Sequence, residues 1–130
     1  MASGAIPNEV EQFLLAAIDT VPHLEALLLI FQNPTTIWSV EDLAARIYVG
    51  NPQAAAVLED LTRRQLISRV EEQSPARYQF IARSPDQTEL LNKVAQAYRT
   101  QLVQVARFIH SKPSASVRDF ARAFRLKDRN

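Results

Sequence analysis

A chain of 130 residues, 47% of them hydrophobic, is long enough to close one domain around its own core without a covalent or metal staple. Cysteine is absent, which excludes disulfides, thiolate metal sites and a thiol nucleophile and fits a reducing, cytoplasmic setting, and two glycines leave no material for a phosphate-cradling loop. The net charge of +1 hides a division, since residues 1–83 carry 6 Lys/Arg against 10 Asp/Glu while residues 84–130 carry 9 against 4, a pattern that fits an acidic or polyanionic partner for the C-terminal part.

Prolines at 7, 22, 34, 52, 75, 85 and 113 punctuate the chain. Met1 to Pro7 lacks the basic start and apolar run of a secretory signal. Phe13, Leu14, Ala17 and Ile18 predict a first helix over Asn8–Thr20, and Leu24, Leu27, Leu28 and Phe31 a second over Val21–Gln32. The apolar run Leu24–Phe31 contains Glu25 and is far shorter than a bilayer requires, so no membrane span is expected. Thr35-Thr36-Ile37-Trp38, β-branched and aromatic, reads as a short strand leading into Ser39, a helix N-cap followed by Glu41 and Asp42. The helix Val40–Ile47 then breaks at Tyr48-Val49-Gly50, where glycine is expected to make the turn. Asn51 caps the next helix, with Pro52 at its first position, and Ala54, Val57, Leu58 and Leu61 line it as far as Gln65. Ile67–Glu71 and Arg77–Ala82 read as strands of a hairpin joined by residues 72–76.

Ser84-Pro85-Asp86-Gln87 is a capping box that opens a long helix, 84–110. Leu91, Val94, Tyr98, Leu102, Val105 and Ile109 are spaced 3, 4, 4, 3 and 4 apart, close to a heptad seam, and this predicts a homodimer interface along one continuous helix, the rival being packing of the same residues against the first two helices of their own chain. Beyond Pro113, residues 114–130 form a basic amphipathic segment with Phe120 and Phe124 on one side and Arg118, Arg122 and Arg125 on the other. Such a segment suits a partner groove, an anionic membrane surface or the chain's own core.

The expected fold is therefore mainly α with a small β-hairpin wing, one domain over 1–130 with its core unit at 23–82. The order helix, strand, helix, turn, helix, hairpin resembles the winged helix-turn-helix of bacterial transcriptional regulators of the MarR, PadR and ArsR types. The resemblance rests on the apolar helix His23–Phe31, the Ser39-Val40-Glu41-Asp42-Leu43-Ala44-Ala45 helix start, the turn at Gly50, and Leu58-Glu59-Asp60-Leu61 leading to Leu66-Ile67-Ser68-Arg69. Gln65 stands where that family has a glycine, and a glutamine held at positive φ there would be strained. The resemblance implies that Asn51–Arg64 is the recognition helix and that duplex DNA is the partner. It implies base reading by Gln53 and phosphate contacts from Arg63, Arg64 and Arg77, opposed by Glu59 and Asp60. The alternative is a winged-helix adaptor that docks another protein and does not bind DNA.

No enzyme chemistry is expected. His23 and His110 have no ligand spacing, so no metal or cofactor is predicted. The neighbours Glu41/Asp42, Glu59/Asp60 and Glu71/Glu72 aim their carboxylates apart, and no nucleophile elbow surrounds a serine. Trp38 and Tyr78 are expected to pack the sheet onto the helices.

Overall fold

The computed structural model describes residues 5–70 and 74–112; the basic segment 114–130 and part of the hairpin turn, 71–73, lie outside them. The elements in chain order are α1 (Asn8–Ala17), α2 (Val21–Gln32), β1 (Trp38–Ser39), α3 (Val40–Ile47), α4 (Asn51–Arg63), β2 (Ser68–Arg69), β3 (Arg77–Gln79), α5 (Pro85–Thr100) and α6 (Leu102–Ser111). The chain is thus mainly helical with a small antiparallel sheet, in the order β1-β3-β2, in which Tyr78 faces both Trp38 and Arg69.

Local chemistry sets most of these boundaries. The Oγ atoms of Ser39 and Ser84 accept from the backbone N–H of Asp42 and Gln87 at 3.0 and 3.1 Å, capping α3 and α5. The first helix stops at Ala17, three residues before the predicted end, because Thr20 serves α2 instead: its Oγ1 accepts from His23 N at 3.3 Å. The strands are shorter than predicted. Pairing at β1 begins only at Trp38, and β2 and β3 keep two and three residues.

One apolar cluster runs from Val10 and Leu14 through Leu24, Leu27 and Leu61 to Leu91 and Ile109, so α1, α2, α4, α5 and α6 share a core. Trp38 and Tyr78 join it as expected, and Phe31 meets Phe80 edge-on at 5.1 Å. Among the described residues no single helix is long and apolar enough to cross a membrane.

The single long C-terminal helix is corrected to two. Gln101, at φ −136° and ψ 47°, leaves the helical region, and its side-chain amide donates to Ala5 O at 2.9 Å. The break lets α5 and α6 follow different lines over α1 and α2. The seam consequently lies inside this chain: Leu91, Val94, Val105 and Ile109 are buried, and Leu102 alone of the six is exposed, at 52%. Tyr98 donates its hydroxyl to Glu25 Oε2 at 3.0 Å, and burial, reinforced by that carboxylate, pushes its phenol up to about 12.

The passage from α4 into β2 turns on Gln65, whose φ is 63°. Its N–H donates to Thr62 O and that of Leu66 to Leu61 O, both at 3.0 Å, so the left-handed residue closes the helix. The Gln65 carbonyl accepts from Arg83 Nε at 3.0 Å and Gln87 Nε2 at 3.2 Å, which holds the turn against the start of α5. A left-handed conformation costs a non-glycine residue about 1 kcal/mol, partly offset by glycine's greater freedom when unfolded. Gln65→Gly keeps the carbonyl and is expected to raise stability by roughly 0.5 kcal/mol; a thermal melt with a lower midpoint than wild type would contradict this.

Candidate nucleic-acid interface

The surface implied by the sequence is built from α3, the turn after it, α4 and the sheet. Tyr48, not Gly50, makes the turn: Tyr48 has φ 60° and is 93% exposed, while Gly50 has an ordinary φ of −74° and sits at the N-cap of α4. Val49 N–H donates to Ala44 O at 3.1 Å and closes α3. Asn51 then begins α4, with Pro52 in its first turn, where the missing N–H costs nothing.

The inner face of α4 is apolar, and Ala54, Val57, Leu58 and Leu61 are buried. Its outer face carries Gln53, Ala56 and Glu59 exposed and Ala55 half-buried. Gln53 is therefore presented in the first turn, beside two small side chains that permit close approach. The helix N-terminus adds a positive end of the backbone dipole at this point.

The two arginines predicted to hold phosphates at the far end of α4 are placed differently. Arg64 is drawn inward: its Nη1 donates to Ala17 O and its Nη2 to Asp19 Oδ2, each at 2.8 Å, tying α4 to the α1–α2 junction. Arg63 stays exposed but pairs with Asp60 Oδ1 at 2.5 Å. Asp60 was expected to face phosphates, and instead its other oxygen accepts from His23 Nε2 at 2.8 Å. Since a carboxylate only accepts, that nitrogen carries the hydrogen, and in the neutral ring Nδ1 accepts from the Thr20 hydroxyl at 2.6 Å. Burial by itself raises Asp60, but the hydrogen bonds from His23 and Arg63 outweigh it and hold the carboxyl below its usual 3.8.

Asp19, His23 and Asp60 thereby bring their ligand atoms within 4.8 Å of one another. Arg63 and Arg64 already balance the two carboxylates, so the group is a closed ion-pair network joining α1, α2 and α4. His110 is exposed on α6 and takes no part in it.

Three further cations near the turn and sheet are Arg46, Arg69 and Arg77. Arg46, in the last turn of α3, lies 5.6 Å from the centre of the Trp38 ring. Trp38 Nε1 is, among the described residues, the buried side-chain polar atom without a hydrogen-bond partner. Arg69 is exposed on edge strand β2, and Arg77 is half-buried on β3. Arg46 and Arg69 were not singled out from the sequence, because strand and helix assignments give the face of a residue only once the sheet is docked. Neither the known family models nor the curated proteins give a match to this sequence.

Proposed function

We propose that the chain is a winged-helix protein of the DNA-binding kind used in bacterial transcriptional regulation, with α3 and α4 as its helix-turn-helix and β2–β3 as its wing. Gln53 carries this reading: it is exposed in the first turn of α4, directly after the turn from α3, next to Ala55 and Ala56. A glutamine so placed can pair bidentately with adenine in the major groove. The helix–strand–helix–turn–helix–strand–strand order and the β1-β3-β2 sheet support the same architecture. The phosphate contacts in this reading are Arg46, Arg69 and Arg77, with Arg63 at the margin; Arg64 belongs to the fold.

Anisotropy of a fluorescent mixed-sequence duplex, titrated at 50 and 200 mM salt, tests it. Three phosphate contacts per chain give a slope near −3 in log affinity against log salt, at about 0.9 per contact. The Arg69→Ala, Arg77→Ala double variant is expected to flatten that slope by about 2 on every sequence, whereas Gln53→Ala loses selectivity at one adenine step by roughly 1–3 kcal/mol.

A second reading, the adaptor that docks a protein and not DNA, is favoured by one observation: residues 23–82 hold seven acids against five arginines, with Arg63 and Arg64 already in ion pairs. Absence of any duplex binding at 50 mM salt decides for it.

A further inference from the structure

The turn from α3 into α4 runs against the preferences of its own residues. Tyr48, at φ 60° and ψ 47°, is the left-handed residue that closes α3, a position that favours glycine because a Cβ there crowds the following carbonyl. Its side chain does not compensate. Tyr48 is 93% exposed, so neither its ring nor its hydroxyl is held by the rest of the domain.

Gly50, two residues on, shows the reverse. Its φ of −74° is open to any residue, and a Cβ added there would meet only Pro52 Cδ, at an ordinary 3.7 Å. The N-cap of α4 thus lacks the serine or aspartate oxygen that would accept from the N–H groups of the first turn, although neither conformation nor space keeps it bare. The turn carries a large aromatic where the fold favours no side chain, and no side chain where the fold would accept one. Both departures lie within five residues of Gln53. Backbone strain that brings the fold no contact is characteristic of positions that meet a partner.

We propose that Tyr48 is a contact residue for duplex DNA, its hydroxyl donating to a phosphate oxygen and its ring lying on the adjoining deoxyribose, while bare Gly50 lets the sugar–phosphate backbone approach the start of α4. The inference rests on the DNA-binding reading above and adds a contact of a different kind. A phenol brings no cation, so it contributes affinity without the counterion release that accompanies Arg46, Arg69 and Arg77.

Duplex anisotropy at low and moderate salt, paired with thermal melts of the same proteins, tests it. Tyr48→Gly is expected to melt roughly 2–4 °C above wild type because the strain is relieved, yet to bind duplex about tenfold more weakly with an unchanged salt slope. Tyr48→Phe keeps the ring and the strained backbone, and it should melt with wild type while binding about fivefold more weakly. Gly50→Ser, which supplies the missing cap, should melt no lower than wild type and also bind more weakly. Tyr48→Gly that binds as tightly as wild type overturns the contact and leaves the DNA-binding reading standing. A flattened salt slope in Tyr48→Gly overturns it too, since the loss then comes from displaced arginines. Wild type that binds no duplex at low salt overturns both.

Discussion

Leu91→Ala is expected to destabilise the protein by about 3 kcal/mol, a fall in melting temperature on the order of 10 °C, with no change in mass by sedimentation. Leu91 is fully buried where α5 crosses α1 and α2, so truncation removes apolar area from water and leaves a cavity that the surrounding helices fill only in part. Leu102, in the same heptad-like series, is 52% exposed, and Leu102→Ser is expected to change stability by less than about 0.5 kcal/mol. The pair separates two uses of one sequence pattern. If two copies associate through α6, where Leu102 lies beside exposed Val103, it is Leu102→Ser that lowers the sedimenting mass. A Leu91→Ala variant that dissociates a dimer before it unfolds would reverse this assignment.

Asp60→Ala is expected to cost about 2 kcal/mol, because it removes charge-assisted hydrogen bonds and leaves His23, only 7% exposed, with its Nε2–H facing no acceptor. The same residue sets an acid dependence whose sign follows from its lowered folded value. A carboxyl that ionises more easily in the native state contributes stability above its unfolded value, near 3.8, and loses that contribution as pH falls through the folded one. Urea melts of wild type should therefore weaken below about pH 4 more steeply than those of Asp60→Asn, in which this group no longer titrates. Parallel curves for the two proteins would show that His23 and Arg63 do not stabilise the ionised form.

The elements of the fold were legible where the signal is local. Ser39 and Ser84 cap their helices through their own side chains, Pro52 and Pro85 lie in first turns, and Trp38 and Tyr78 are buried in the core. The turn at 65 was not: the sequence places a glutamine where the resemblance wants glycine, which argues against a left-handed turn there, yet Gln65 adopts a positive φ all the same. The break at Gln101 was not, since Tyr98-Arg99-Thr100-Gln101-Leu102 contains no glycine or proline; it arises from Gln101 reaching Ala5, a contact 96 residues away in sequence. The candidate site divides in the same way. Exposure of Gln53 follows from helical periodicity alone, whereas the capture of Arg64 by Asp19 and Ala17 depends on how α4 docks on the α1–α2 junction. Charge counting treats every arginine as available, and only tertiary structure says which are already spent.

The bonds that join the first helix to the last two span most of the chain: Lys93 to Glu9 is 84 residues, Gln101 to Ala5 is 96 and Lys112 to Leu14 is 98. The unit from α2 to β3 is in effect an insert between two ends that must find each other. During synthesis α1 is made long before α5 and α6, which begin only at Pro85 and Leu102, and until then it has neither to pack against. At chain growth of roughly 5–20 residues per second, that wait lasts several seconds. Over that interval Val10, Leu14 and the α2 surface later covered by α5 remain open to other apolar chains. The nascent protein therefore passes through a stage in which its inner unit can form while its outer layer stays unpaired, and a released fragment that ends just before α5 should display that state to a chaperone.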